Sequence, residues 1–325
     1  MQQDAPTASF DPRIKALRRF ALSITVFTLL GHLWLGFEQA YLTPVVALLT
    51  AYSVNLLLET IDAWARRAPL RFRGSFVNLV NFLLPAHIAG LACTMLLYGN
   101  QRLLPTVFAV TVAVASKYVF RVRVGSSLRH MLNPSNFGIS MTLLCFSAVA
   151  IAPPYHFTQN VGSVIDWLIP AVIVTAGTML NGKLTHRLPL IAAWLGGFAL
   201  QAVIRAAFFD HALVSALVTM TGVAFVLFTN YMITDPGTTP FQPRDQVIFG
   251  LSTALVYGAL VVAHVTFGLF FALTIVCAAR LVQTWVVQRM RQLTPRARES
   301  APASAVDPVR EGASVPVGVA TREAS

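Results

Sequence analysis

The chain has 325 residues, of which 56% are hydrophobic and only 11% are charged, and its mean hydropathy is +0.66. Soluble domains carry about 25% charged residues, so this composition excludes an ordinary soluble domain and predicts an integral protein of the lipid bilayer. The net charge is +11. The basic residues lie between apolar runs, where they meet lipid head groups, so no nucleic-acid partner is predicted.

The apolar runs divide the chain into a membrane domain at residues 13–292 and two polar tails at 1–12 and 293–325. The tails lack apolar periodicity, so we predict that they are disordered. Hydrophobic stretches of about 17 to 23 residues can cross a bilayer as helices. The domain contains about ten such stretches, which predicts an all-α polytopic fold; they are 21–37, 41–61, 76–98, 103–120, 137–153, 164–181, 188–208, 212–230, 247–263 and 268–287.

The basic residues predict how these spans are oriented. When ten spans are threaded with the N-terminus inside, only Arg102 and Arg205 of the 24 lysines and arginines fall outside. Cytoplasmic loops carry an excess of lysine and arginine, so this bias is typical of a correct topology. We therefore predict a multi-pass protein with both termini in the cytoplasm.

Two polar segments interrupt the apolar pattern, Arg129–Ser140 (RHMLNPSNFGIS) and Thr229–Gly250 (TNYMITDPGTTPFQPRDQVIFG). Each places an Asx-Pro pair between two hydrophobic runs, Asn133-Pro134 in the first and Asp235-Pro236 in the second. Proline lacks a backbone donor and disfavours helix at the residue before it, so each pair should stop or break a helix. Non-helical backbone at membrane depth must be buried in protein or line a cavity. Both segments lie on the predicted cytoplasmic face, so they are candidates for one shared site.

The first segment ends a basic stretch that runs from Lys117 to Arg129 and includes Gly125-Ser126-Ser127. The backbone donors of a Gly-Ser-Ser turn beside four cations would suit a phosphate or another anionic head group. The alternative is a cytoplasmic loop whose charges touch lipid phosphates. In either case Arg129 and His130 lead directly into the Asx-Pro pair.

The second segment concentrates hydrogen-bonding side chains at one helix end: Asn230, Tyr231, Thr234, Asp235, Thr238, Thr239, Arg244 and Asp245. A flavin or quinone ring needs hydrogen bonds at its carbonyls beside an apolar slot, and this segment could offer both. The alternative is a capped helix end and a turn, in which Asp235 and Asp245 pair with nearby arginines. Residue spacing alone leaves both interpretations open.

Polar groups inside the spans also have two interpretations. Near a span end, an arginine on the same helix can cap an acidic group, and we predict this for Glu59 and Asp62 with Arg66 or Arg67. Deeper polar residues face a bundle interior, a cavity or a relay, or they bridge helices. This second group is Asn78, Asn81 and His87.

Motifs of self-sufficient enzymes are missing from the sequence. It contains no Gly-x-Ser-x-Gly elbow, no Gly-x-x-x-x-Gly-Lys phosphate loop and no Gly-x-Gly-x-x-Gly turn. No two histidines are spaced i, i+4 as a metal pair on one helix would require. We therefore predict neither a metal site nor catalytic residues of its own.

At the two Asx-Pro segments the sequence resembles the RnfD/NqrB family, the membrane subunit shared by ion-pumping electron-transport complexes. The matching residues are Arg129-His130-x-x-Asn133-Pro134-Ser135-x-Phe137-Gly138 and Met232-x-Thr234-Asp235-Pro236, followed by Pro240, Arg244 and Phe249-Gly250. The similarity extends over most of residues 15–290, although only these motifs are specific. Within the family it is greatest to the UnbU-like branch, which is found with enediyne biosynthesis genes.

The resemblance implies a bacterial inner-membrane subunit of an electron-transfer or redox-coupled transport system, with other membrane redox subunits as partners. Such a chain would be at most a non-autonomous part of an oxidoreductase complex. Family members hold flavin and, in one branch, contact quinone. We expect a non-covalent flavin (FMN or riboflavin) or a quinone, bound by Arg129, His130, Asn133, Asn136, Thr234, Asp235 and Arg244.

The sequence departs from the family at the covalent flavin site. In the family, FMN is attached to the threonine of a Ser-Gly-Ala-Thr motif on an extracytoplasmic loop. The matching loop, 153–163, contains only Thr158 and lacks the motif, so covalent FMN is not expected. A small-molecule transporter or export protein using the same cavity is the alternative, because helices broken at Asx-Pro pairs suit it equally well. A structural subunit without a cofactor is a third possibility.

Overall fold

A computed structural model describes residues 12–293, except for 125–126, 154–156, 158–159 and 210. The two tails predicted to be disordered lie outside the described residues, apart from Pro12 and Leu293. Of the described residues, 12–285 belong to one compact unit and 286–293 to a second. The helical bundle belongs to the first unit.

The described residues form an all-α fold. Its helices are α1 Pro12–Leu30, α2 Thr43–Arg66, α3 Phe76–Leu96, α4 Leu103–Val119, α5 Pro134–Cys145, α6 Ser163–Leu180, α7 Leu188–Phe208, α8 Leu213–Val218, α9 Val223–Leu227, α10 Pro243–Val262 and α11 Gly268–Leu293. Three π-helical turns, Gly31–Leu35, Asn181–Thr185 and Phe228–Met232, extend α1, α6 and α9.

Two short antiparallel sheets accompany these helices. Strand β1, Leu97–Tyr98, pairs with β4, Ala150–Ile151, and so joins the end of α3 to the chain after α5. Strand β2, Arg121–Val124, pairs with β3, Ser127–His130, with Arg121 opposite His130. This hairpin connects α4 to the first Asx-Pro pair.

Six helices are long and apolar enough to cross a membrane, so the protein is polytopic: α2, α3, Trp167–Thr185, α7, α10 and Gly268–Met290 of α11. Segments Leu213–Thr221 and Val223–Met232 form a bent pair with an angle of 64° that would make a seventh span. The predicted all-α polytopic fold is confirmed, but its count of ten spans is not, since the described residues provide six candidates, or seven with the bent pair.

The difference in count has physical reasons. Helix α5 has only 12 residues, a length of about 18 Å, whereas the hydrocarbon core is about 30 Å thick. The predicted span 137–153 therefore leaves the helix at Phe146 and continues into β4. Helix α4, with 17 residues, is also short. The first turns of α1 contain Arg13, Lys15, Arg18 and Arg19, which reduce its apolar length.

Proline begins several of these helices because its missing N–H has no partner to lose in the first turn. Helices α2, α5, α7 and α10 each have proline at one of their first two positions. Close packing follows where small residues face a neighbouring backbone. A Cβ added to Gly250 of α10 would lie 2.8 Å from the Leu190 carbonyl oxygen of α7, so glycine is required at that crossing.

Candidate functional site

The two Asx-Pro segments meet in the structure. Asn133 caps α5 by accepting a hydrogen bond at Oδ1 from the backbone N–H of Asn136, at 3.0 Å. Its Nδ2 donates to the carbonyl oxygen of Met232, at 2.8 Å. Met232 lies three residues before Asp235, so one buried side chain joins the first segment to the second. The expected convergence of the two segments is therefore observed; we call the region around this contact the Asx-Pro niche.

The two prolines explain why this contact forms. Asn133 has extended backbone (φ −63°, ψ 119°), as expected before proline, and this frees its side chain to cap the helix that Pro134 begins. On the other side, the helix ends in the π turn Phe228–Met232, and Pro236 follows. The Met232 carbonyl oxygen accepts only a long hydrogen bond from the N–H of Asp235, at 3.4 Å. It can therefore also accept from Asn133.

Asn136 faces α11 instead of the second segment. Its Nδ2 donates to the Phe270 carbonyl oxygen at 2.9 Å and to Thr274 Oγ1 at 2.8 Å. Ser140, one turn later, donates to the same carbonyl at 3.2 Å. Asn136 therefore bridges α5 and α11, as amides between membrane helices do, and its Oδ1 has no partner among the described residues.

The second segment folds as a turn held by Asp235. Its carboxylate accepts from the N–H of Gly237 at 3.2 Å and from Thr238 Oγ1 at 3.0 Å, while its carbonyl oxygen accepts from Thr239 Oγ1 at 2.7 Å. Thr234 donates to the carbonyl oxygen of Asn230, four residues earlier, at 2.6 Å. This is the predicted capped turn, but neither Asp235 nor Asp245 forms an ion pair with an arginine within the described part of the chain.

His130 packs directly against this turn. A Cβ added to Gly237 would lie 2.9 Å from His130 Nε2, so a larger residue would displace the imidazole. Burial lowers the pKa of His130, and nearby cations lower it further while Asp235 raises it in part; the cations are Lys117, Arg121 and Arg129. His130 is therefore neutral at pH 7, with one donor and one acceptor nitrogen available to a ligand.

Lys117 of α4 places a cation beside Asp235 in the niche. Its Nζ donates to the carbonyl oxygen of Pro85, inside α3, at 2.9 Å. It also interacts electrostatically with Asp235. A lysine ammonium has three donors, so Lys117 retains hydrogens for a further acceptor.

Three arginines surround the loop that follows Asp235. Arg280 of α11 donates from Nη1 to the Thr238 carbonyl oxygen at 2.7 Å, and Arg187 donates from Nη1 to the Pro240 carbonyl oxygen. The Phe241 ring lies between Arg129 and Arg187, with its centroid 4.5 and 4.9 Å from their guanidinium carbons. These are cation–π distances.

The predicted site residues thus have different positions. Arg129, His130, Asn133 and Asp235 lie around one loop, whereas Asn136 contacts α11 and Thr234 contacts its own helix. Arg244 is exposed in the first turn of α10.

Three residues of the niche were not singled out from the sequence: Arg187, Phe241 and Arg280. Lys117 was noted there as part of the basic stretch that could suit an anion. The two arginines were counted only as topological charges, although each carries a signal that could have been used. Arg187 immediately precedes α7, where the helix dipole disfavours a cation, and Arg280 lies within a predicted span, where charged groups are typically functional.

A separate group of charges joins α2, β2 and the loop before α3. Glu59, 2% exposed, accepts from Nε of Arg71 at both carboxylate oxygens, 2.8 and 2.9 Å. Asp62 pairs with Arg66 at 2.8 Å and with Arg121 at 2.9 Å. The predicted pairing of Asp62 with Arg66 is confirmed, whereas Glu59 pairs with Arg71 in place of Arg66 or Arg67. The hydrogen bonds and charge of Glu59 raise the pKa of Arg71.

His87 joins three helices near the middle of α3. Its Nε2 lies 2.7 Å from Thr25 Oγ1, and its Nδ1 lies 2.6 Å from the Tyr52 hydroxyl. Thr25 already donates to the Ala21 carbonyl oxygen at 2.7 Å, so Nε2 carries the proton and Nδ1 accepts from Tyr52. Asn81 accepts from Arg18 at 2.9 Å. His87 and Asn81 therefore bridge helices.

The described residues contain no group of three or more histidine, cysteine or acidic residues that could hold a metal ion. Two sequence interpretations concern residues outside the described part of the chain. These are Thr158, the one threonine of the loop that lacks the covalent flavin motif, and Gly125 and Ser126 of the anion-binding turn. No family model matches the chain, and no curated protein matches it either.

Proposed function

We propose that this protein is an RnfD/NqrB-like subunit of a membrane electron-transfer or redox-coupled transport system. In this proposal it has about ten spans in a bacterial inner membrane, with both termini and the Asx-Pro niche on the cytoplasmic side. The niche holds a flavin (FMN or riboflavin) or a quinone without a covalent bond. Other membrane redox subunits supply and remove its electrons.

The observation that carries this proposal is the contact between Asn133 Nδ2 and the Met232 carbonyl oxygen at 2.8 Å. It brings together the two segments on which the family resemblance depends. It also leaves ligand-binding groups beside them, because the neutral imidazole of His130 and the ammonium of Lys117 can donate to ring carbonyls. Apolar surface comes from the ring of Phe241, which is 55% exposed and lies beside Arg129 and Arg187.

An optical spectrum of the detergent-purified full chain, before and after denaturation, tests the proposal. Flavin absorbance or an extractable quinone is expected in the native protein, and the denatured protein should release it. His130→Gln should weaken the affinity for the cofactor by about tenfold, because it removes the imidazole that hydrogen-bonds to the ring of the cofactor. Lys183→Gln, an exposed change at the same end, is the matched control. Purified protein with neither flavin nor quinone would contradict the cofactor.

A small-molecule transporter is the second candidate, favoured by the 64° bend between Leu213–Thr221 and Val223–Met232. Broken helices at a binding site are typical of transporters. Proteoliposomes that move a natural product or a flavin without any bound redox group would favour this function. A chain that neither binds a redox group nor moves a solute would instead be a structural subunit.

The genes beside this one provide a further distinction. Neighbouring genes for flavin-bearing or iron–sulfur subunits would support the electron-transfer function. Polyketide-type biosynthetic genes would instead support the enediyne-linked branch.

A further inference from the structure

Arg187 is a buried cation whose hydrogen bonds are incomplete. Its side chain is fully enclosed, with 1% of the residue exposed. Nη1 is bound by the Pro240 carbonyl oxygen, but Nε and Nη2 have no hydrogen-bond partner among the described residues. Leaving charged donors buried and unpaired costs several kcal/mol, so such groups in proteins usually have a partner.

The two free donors form the edge that guanidinium groups use to bind oxyanions. Nε–H and Nη2–H point in parallel and match two oxygens of a phosphate or carboxylate. Because Nη1 is fixed on Pro240, the free edge has one orientation. A surface arginine, in contrast, would have water at both positions.

The surrounding charges favour a group with more than one negative charge. Arg129 and Arg280 both act electrostatically on Arg187, while the opposing acidic group is Asp235. The Asp235 carboxylate is already occupied by Gly237 and Thr238. Asp245 interacts with Arg280 but is exposed. Three arginines around one loop therefore face two carboxylates, of which one is exposed, so positive charge is in excess there.

The Phe241 ring covers this cluster. Its centroid lies 4.9 Å from the Arg187 guanidinium carbon and 4.5 Å from that of Arg129, and the residue is 55% exposed. An exposed ring on a loop can move aside without opening the helical bundle. A ligand would then reach the guanidinium edge from the end of the bundle.

We propose that Arg187, with Arg129 and Arg280, forms a binding site for a phosphate group, which takes the free Nε and Nη2 donors when Phe241 moves aside. The phosphate belongs either to a soluble molecule or to the head group of an anionic lipid. The site lies in the same niche as the proposed cofactor, but binding of phosphate requires neither flavin nor quinone, so a failure of the proposed function would leave this inference standing.

The test is thermal unfolding of the full chain in nanodiscs of phosphatidylcholine, titrated with inorganic phosphate at constant ionic strength. The melting temperature should rise and saturate with phosphate but not with chloride, because a ligand that binds only the folded state stabilises it. Arg187→Gln should weaken the phosphate dependence by at least about tenfold, and Arg187→Lys should weaken it less, because a lysine keeps the charge without the two-donor edge. Lys183→Gln, which removes an exposed charge four residues away, should leave it unchanged.

The results distinguish the source of the phosphate and the location of the site. If nanodiscs with phosphatidylglycerol raise the melting temperature of the wild type but not of Arg187→Gln, the lipid head group is the ligand.

Phe241→Ala should keep or strengthen the phosphate dependence of the melting temperature. The proposal fails if phosphate has no saturable effect in either lipid, if Arg187→Gln responds as the wild type does, or if Phe241→Ala loses the response. If Arg187→Gln does not fold, the comparison of Arg187→Lys with Lys183→Gln decides.

Discussion

Two clusters of buried charge at the same end of the bundle are built in opposite ways. In the cluster of Glu59 and Asp62, both carboxylates pair with arginine. In the Asx-Pro niche, Arg187 retains two buried donors without a partner in the described chain. A charge cluster that only holds helices together can be satisfied internally. In the cluster that is incomplete among the described residues, the proposed phosphate would supply the missing partner.

The largest expected effect comes from breaking the paired cluster. Arg71→Gln leaves Glu59 buried without its counterion, so we expect the free energy of unfolding in detergent to fall by about 2 kcal/mol, reduced by the partial exposure of Arg71. The matched control is Arg66→Gln, whose partner Asp62 is 24% exposed and keeps its pair with Arg121, and its expected loss is under about 0.5 kcal/mol. Equal losses for the two variants would show that burial of Glu59 does not matter.

A smaller effect is expected from removing the incomplete cation. Arg187→Leu removes two buried donors without partners, which stabilises the fold, but it also removes the hydrogen bond to Pro240 and the contact with Phe241. These effects oppose each other, so without phosphate the free energy of unfolding should change by less than about 1 kcal/mol in either direction. With saturating phosphate the wild type should become more stable than the variant. The same unfolding assay, run with and without phosphate, measures both. A large loss of stability without phosphate would mean that the chain itself already satisfies Arg187.

The smallest effect is a pH dependence from His130. The folded protein holds the pKa of His130 below its ordinary value of 6.5, chiefly by burial. As the pH falls through 6.5 the unfolded state binds the proton first, so the stability that neutral His130 contributes is complete above that pH and is lost below it. The slope cannot exceed about 1.4 kcal/mol per pH unit. His130→Gln should remove this component from the unfolding curve, and a wild-type curve identical to that of the variant would contradict it.

The sequence predicted the elements better than their endings. Long apolar runs identified α2, α3, α7, α10 and α11, because helix length and hydropathy follow directly from composition. The run 137–153 was misjudged because apolar residues suit a membrane helix and a buried strand alike. Only the pairing of Ala150–Ile151 with Leu97–Tyr98 shows where α5 ends.

At the niche, proline chemistry predicted where helices break, and the meeting of the two segments followed from their common face. The partners of individual side chains did not follow. Whether Asn136 faces Asp235 or Thr274 depends on how α5 packs against α11, which residue spacing does not determine. Likewise, the positions of Arg187 before α7 and of Arg280 within a span mark both as unusual cations, but the sequence does not show that they converge on the loop after Asp235.

The two-residue pairing of β1 with β4 has a consequence for biogenesis. It joins residues on either side of the stretch that contains α4, the β2–β3 hairpin and α5. Because chains are synthesised from the N-terminus, Leu97 can pair only after Ile151 has left the ribosome. The short helix α5 is thus enclosed by a pairing whose residues are all translated before the second Asx-Pro segment.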